Sequence, residues 1–144
     1  MEHNLQIGAS HTAEKLVEEW DTAAFMGSGV VTVFATPAMI LLMELAARNA
    51  VQDHLPDGST TVGTLVNVQH VAATPLGAKV SATAVLKQID GRKLTFDVKA
   101  TDKNGIIGKG VHERAIIDIE RFMSKARGYN SSADIASTYS KPVK

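Results

Sequence analysis

Between Ala38 and Ala47 the chain reads AMILLMELAA, apolar at every position except Glu44. A run of this kind has no polar face to turn to water, so a helix built from it is buried on most sides. Thr36-Pro37 supplies the start: threonine suits the N-cap, and proline suits the first helical position, where its missing N–H is no loss. Pro56 and Gly58 mark the stop within Asp53–Gly58. The pattern predicts a helix over Pro37–Val51, about 22 Å long at 1.5 Å per residue.

Beyond it the rhythm becomes that of strands. Val62–Val71, Ala78–Ile89, Lys93–Thr101 and Ile106–Glu120 are rich in valine, isoleucine and threonine. The cleanest alternation sets Leu94, Phe96, Val98 and Ala100 against Lys93, Thr95, Asp97 and Lys99. Asp90-Gly91 and Asn104-Gly105 signal two-residue hairpins, and Pro75-Leu76-Gly77 marks a third turn. The last three strands therefore form a meander, which Val62–Val71 is expected to join at the Pro75 turn.

The N-terminal 35 residues are less regular. His11–Glu19 fits a strand or a short helix, and Asp21–Gly29 reads as a loop with Gly27-Ser28-Gly29 as its flexible part. Val30–Phe34 is β-branched and apolar. The polar stretch Ser124–Lys144 has no sustained apolar period, which divides the chain into a folded domain over 1–123 and a flexible tail over 124–144. The class is α+β, an antiparallel sheet curled around one central helix. One sheet around one helix leaves a surface open, so a homodimer is expected.

Composition removes several functions. Lysine plus arginine equals aspartate plus glutamate at 15 each, so no general electrostatic pull draws the chain to nucleic acid or to an anionic membrane. Only seven residues are aromatic, too few for base-stacking platforms. The absence of cysteine excludes disulfides, thiolate metal sites and a cysteine nucleophile. No run reaches the ~18 unbroken apolar residues of a membrane span, and MEHNLQIGAS lacks a signal pattern, so a cytoplasmic protein is expected. There is no G-x-S-x-G elbow, phosphate-binding loop, dinucleotide fingerprint or H-E-x-x-H. The five histidines (3, 11, 54, 70 and 112) show no metal-ligand spacing, and neither metal nor cofactor is expected.

Five positions have candidate chemistry. Glu44 is a lone carboxylate in an apolar run, where desolvation is expected to raise its pKa into a range useful for acid–base catalysis. The plainer reading pairs it with Arg48, its i+4 neighbour. His70 follows Val66 and Val68 on one face of Leu65–Val71; such a histidine is more often a core residue, yet its neutral ring both donates and accepts. His112 and Arg114 share one face of the last strand while Glu113 points to the other, and a charged cross-strand ladder accounts for the trio without chemistry. Thr36 places a hydroxyl where backbone N–H groups and the positive helix end gather, a spot suited to an oxyanion, although an N-cap threonine needs no further explanation.

Together with their neighbours these residues resemble a known pattern. Phe34-Ala35-Thr36, Leu42-Met43-Glu44, Gly63-Thr64, His70 with Ala72-Ala73-Thr74-Pro75, and Gly110-Val111-His112-Glu113-Arg114-Ala115 resemble the fluoroacetyl-CoA thioesterase family, over about Val33 to Ala126. Proteins of that family are small, dimeric and of the hot-dog fold, in which an antiparallel sheet wraps a long helix. The resemblance implies Thr36, Glu44 and His70 as catalytic residues, and Gly63, Arg114 and Phe34 as substrate-binding ones. It implies hydrolysis of a short-chain acyl-CoA to the free acid and CoA, with coenzyme A present only as part of the substrate.

In one regular helix, the eight positions from Thr36 to Glu44 amount to about 12 Å of rise, so Thr36 must fold back or the site is shared across a dimer; the shared site is preferred. The fluoroacetyl-specific member also carries a phenylalanine-bearing lid before its F-A-T motif, whereas Met26–Val33 here has no aromatic residue. A more general acyl-CoA thioesterase is therefore expected over a fluoroacetyl-selective one, and a non-catalytic acyl-CoA-binding hot-dog protein stays open. An enoyl-CoA hydratase is disfavoured, because no aspartate near the helix start is followed closely by histidine. Lys87, Arg92, Lys93 and Lys109 are candidates for the CoA phosphates.

Overall fold

The computed structural model describes residues 3–129. Five strands, β1 (Ser10–Leu16), β2 (Ser59–His70), β3 (Lys79–Asp90), β4 (Lys93–Asp102) and β5 (Gly105–Asp118), form one antiparallel sheet in the order β1-β3-β4-β5-β2. A short helix α1 (Ala23–Met26) precedes the long helix α2 (Thr36–Val51), and α3 (Ile119–Tyr129) follows the sheet. The expected arrangement of a sheet around one long helix is the one observed. Among the described residues, no helix is long and apolar enough to cross a membrane.

The alternation in β4 has the anticipated consequence. Leu94, Phe96, Val98 and Ala100 are buried, together with Val80, Ala82, Ala84 and Leu86 of β3. Alanines in the middle of β3 keep its inner face shallow. They meet Met39, Leu42, Met43, Ala46, Ala47 and Ala50 of α2, which packs chiefly on β1, β3 and β4. Gly91, at φ 61°, makes the β3–β4 turn in a conformation that favours glycine.

Several expectations need correction. The strand over Val62–Val71 forms, but β2 pairs with β5 at the opposite end of the sheet and does not join β3 at the Pro75 turn. β1 already occupies the outer edge of β3, from Ser10 against Val85 to Leu16 against Lys79. Alternation fixes which face a residue takes and leaves the neighbouring strand undetermined. The ambiguous His11–Glu19 resolves as strand up to Leu16, with Ala13 in β1 and Val17 just after it turned into the core, and as a 3-10 turn beginning at Glu19. Asp21–Gly29 is partly helical, because the Thr22 hydroxyl caps α1 by accepting from the Phe25 N–H.

The last strand stops at Asp118 instead of Glu120. Its carboxylate accepts the Arg121 N–H and so starts α3. That helix exposes Ile119, Phe122 and Met123 and runs past Ser124, where the polar tail was expected to begin. The tail beyond Tyr129 lies outside the described residues.

The apolar run of α2 is not buried all round. Leu41 and Leu45 are 65% and 37% exposed, on the side of the helix that carries Glu44. The strand at that side is β2, a sheet edge whose residues 63–67 are all exposed.

Candidate active site

Ala35, not Thr36, is the N-cap of α2. Its extended backbone (φ −75°, ψ 146°) is held by its N–H, which donates to the Asp21 carbonyl at 2.8 Å. Asp21 is fixed in turn by Lys15 and the Glu18 N–H, each 2.9 Å from its carboxylate. Thr36 becomes the first helical residue, and its hydroxyl is free of capping. It lies 2.8 Å from His70 Nδ1 at the end of β2.

The Thr36–His70 pair opens into a cleft of about 390 Å³. Its walls come from α1 and the segment after it (Ala23, Ser28, Gly29, Val31) and from the chain just past β2 (Val71, Ala72). Phe34 is buried behind the pair and meets the imidazole edge-on, with ring centroids 6.5 Å apart. His70 Nε2 is buried and has no hydrogen-bond partner among the described residues. Burial holds the His70 pKa below its ordinary value; the Ala72 backbone offsets part of this, without the geometry to satisfy Nε2. The ring is thus biased towards its neutral form, able to accept at Nδ1 from the threonine hydroxyl.

Glu44 belongs to a second cluster. Its carboxylate lies 3.6 Å from Arg114 on β5, and its side chain is 36% exposed against 7% for the arginine. The i+4 pairing with Arg48 is not made: Arg48 donates to Asn49 Oδ1. Nor is Glu44 an isolated, fully desolvated acid, since it has both a cation and solvent. Arg114 is well held, with Nε donating to Thr61 Oγ1 at 2.7 Å and Nη2 to the Thr61 carbonyl at 2.9 Å. Burial weakens its hold on its proton, Glu44 strengthens it and Arg48 weakens it again. Gly63, opposite Arg114 across the sheet, leaves the space that the Glu44 carboxylate fills. A Cβ there would sit 2.6 Å from Glu44 Oε2.

The charged ladder expected for the last strand exists only on the outer face, where Glu113 pairs with Lys93 at 3.5 Å. His112 and Arg114 point inward. The sequence-predicted residues thus fall into two groups: Thr36, His70 and Phe34 at one, and Glu44, Gly63 and Arg114 at the other. No hydrogen bond or ion pair joins Glu44 to Thr36 or His70 among the described residues. Thr61 escaped the sequence reading. Its signal is a hydroxyl residue two positions before Gly63, on the same inward face of a strand.

Residues 17–120 match the family of the fluoroacetyl-CoA-specific thioesterase FlK. The fluoroacetyl-CoA thioesterase of Streptantibioticus cattleyicolor is 45% identical over 95 residues, spanning 66% of this chain and 68% of that protein. A solved structure of FlK superposes with a TM-score of 0.82 at 36% identity, covering 87% of this chain and 97% of the other. A variant of FlK in complex with fluoroacetate and CoA gives 0.77 at 36% identity, over 82% of this chain and 99% of that one. The chain belongs to the fluoroacetyl-CoA-specific thioesterase family, and it is a thioester hydrolase of the acyl-CoA class built on the hot-dog fold.

Proposed function

We propose that this protein hydrolyses short-chain acyl-CoA thioesters, with Thr36, His70 and Glu44 as its catalytic residues. The observation that carries the reading is the Thr36–His70 hydrogen bond at the mouth of a cleft. A hydroxyl whose proton points at a neutral imidazole is an activated nucleophile. In the first step Thr36 Oγ attacks the thioester carbonyl, His70 takes the hydroxyl proton, and the C–S bond breaks. The imidazolium then protonates the departing sulfur, giving CoA thiol and an acyl ester on Thr36. In the second step water, deprotonated by Glu44, attacks that ester, the C–O bond to Thr36 breaks, and the proton taken up by Glu44 passes to Thr36 Oγ as the free acid leaves. The first turn of α2 supplies backbone N–H groups and its positive dipole end near the developing oxyanion.

This scheme requires Glu44 near the Thr36–His70 pair, and we propose that a second protomer provides it. β2 is a long unpaired edge, and Leu65 and Val66 on it are 43% and 42% exposed. An edge of this kind invites pairing with another chain. Two copies joined antiparallel about Val66 and Asn67 bring Gly63 of one β2 opposite His70 of the other. Glu44, seated over Gly63, then faces the second protomer's Thr36 and His70. A cytoplasmic homodimer is the corresponding assembly.

Mixing two inactive variants tests both claims. Glu44→Gln and His70→Ala homodimers should each lose activity by orders of magnitude. Random exchange of their subunits should restore about a quarter of wild-type thiol release, because half the dimers then carry one intact composite site. Full activity in either single variant would sink the catalytic assignment. No recovery on mixing, with exchange verified by mass, would place each site within one protomer.

The acyl group is proposed to be small but not restricted to fluoroacetyl. Phe34 is the aromatic side chain beside His70 on the cleft, whereas the wall from α1 and the segment after it (Ala23, Ser28, Gly29 and Val31) has no aromatic ring, and Val30 is 93% exposed. A panel of acetyl-, fluoroacetyl-, propionyl- and butyryl-CoA should show turnover within a narrow range. A preference for fluoroacetyl over acetyl by several orders of magnitude would favour the selective reading that the relatives' name suggests. Tight binding of acyl-CoA without thiol release would make the protein a sensor.

A further inference from the structure

His112 is the most buried titratable side chain near the site, at 1% exposure, and the scheme above gives it no task. Its ring stacks on Phe96 of β4 at 6.4 Å, with 30° between planes. Nδ1 lies 2.8 Å from the Leu65 carbonyl, at the β-bulge in β2, and Nε2 lies 3.2 Å from Arg114 Nη1. The same Nη1 is the atom nearest Glu44, at 3.6 Å.

These contacts determine the state of the ring. A carbonyl only accepts, so Nδ1 must carry a hydrogen. A guanidinium only donates, so Nε2 must be bare. We infer that His112 is a positioning residue, held neutral with its hydrogen on Nδ1, which fixes Arg114 where it grips Glu44. A second hydrogen on Nε2 would set two donors and two positive charges face to face and push Arg114 off the carboxylate.

The surroundings favour this state. Arg114 on β5 and Glu44 on α2 are the charged groups facing the ring; β2 presents the Leu65 carbonyl and Gly63, and β4 presents Phe96. Burial is the main influence that keeps the ring below its ordinary pKa. The Leu65 carbonyl opposes it, Arg114 reinforces it, and Glu44 opposes it more weakly. Lost ring neutrality would thus release Glu44 without touching the substrate, and the effect on turnover rests on the role given to Glu44 above.

Two substitutions separate positioning from packing. His112→Asn keeps a donor near the Nδ1 place and loses the acceptor for Arg114; His112→Gln keeps an acceptor near Nε2 and loses the bond to Leu65. Each removes one buried hydrogen bond, so both should melt at similarly reduced temperatures. kcat/KM for acetyl-CoA should nevertheless fall by about a hundredfold in His112→Asn, and at least tenfold less in His112→Gln, the scale expected for a catalytic group displaced by about 1 Å. Equal losses in the two variants, tracking their melting temperatures, would reduce His112 to a core residue. The nitrogen-15 spectrum of the wild-type ring gives an answer independent of activity. It should show a protonated Nδ1 and a bare Nε2 at neutral pH. The opposite tautomer, or a charged ring, would overturn the inference even in an active enzyme. An inactive wild type with the expected spectrum would instead indict the thioesterase scheme.

Discussion

Gly63→Ala isolates the contribution of the Glu44 position. Gly63 is absent from the residues at positive φ, so alanine takes its backbone conformation without strain. What changes is space. The new methyl carbon would lie 2.6 Å from Glu44 Oε2, and ordinary contact begins near 3.4 Å, so the carboxylate must withdraw by the difference, about 0.8 Å. It can do so at little cost in stability, because the end of a partly exposed side chain moves more easily than backbone does. The other near neighbours are His112 Cε1 at 3.3 Å, a tight contact, and Arg114 Nη1 at 3.6 Å, an ordinary one. Overpacking of this degree should destabilise by about 1 kcal/mol, lowering the melting temperature by a few degrees.

Catalysis should suffer far more than stability. A displacement approaching 1 Å in a catalytic group corresponds to about a hundredfold in kcat/KM, or roughly 2.7 kcal/mol of transition-state stabilisation. The assay is thiol release from acetyl-CoA, with thermal unfolding run on the same samples. In a Glu44→Gln background, Gly63→Ala should remove little further activity, since the group it displaces is already disabled. A single variant that keeps kcat/KM within about twofold of wild type would show that the Glu44 position is immaterial to the chemistry. So would a double variant whose two losses simply add.

Two further outcomes follow from the same network. Thr61→Val preserves shape and leaves the Arg114 Nε–H without its acceptor, which should lower stability by about 2 kcal/mol in urea unfolding; an unchanged midpoint would deny Thr61 its anchoring role. His70 and His112 both sit below their ordinary pKa in the folded state, mainly through burial, so the unfolded chain binds more protons on acidification. Stability should be full above about pH 6.5 and fall as pH drops through the folded values. Urea midpoints from pH 7.5 to 5 test this in a window above the region where Glu14, held low chiefly by its Lys79 and Ser81 hydrogen bonds, contributes; a midpoint that rises on acidification would contradict it.

Much of the architecture was legible because local rules decide it. Leu94 through Ala100 declared their faces by alternation, and Asp90-Gly91 declared its turn by backbone chemistry. The partner of β2 was not legible, since one valine-rich strand is as good a neighbour as another until β1 occupies the edge of β3. The identities of Thr36, Glu44 and His70 stood out in the sequence, but their contacts did not. Glu44 has a local cation four residues away and takes one seventy residues away, because Gly63 lets the β5 arginine reach it. Thr36 looked like a cap because threonine commonly is one; Ala35, tied to Asp21, displaced it by one position and released the hydroxyl.

That release and the uneven burial of α2 bear on the same question. A helix that served only its own sheet would need one apolar face, and Met39, Leu42, Met43, Ala46 and Ala50 supply it. Leu41 and Leu45 are surplus to that purpose and stand open to water beside Glu44. Apolar side chains flanking a carboxylate on an otherwise uncovered face make sense if another protein surface covers them and leaves the acid in the seam. The β2 edge, running past Gly63 to His70, borders the same opening. In the proposed composite site the nucleophile and base belong to one protomer and the water-activating acid to the other, so the scheme expects a single folded protomer to be inactive until it pairs.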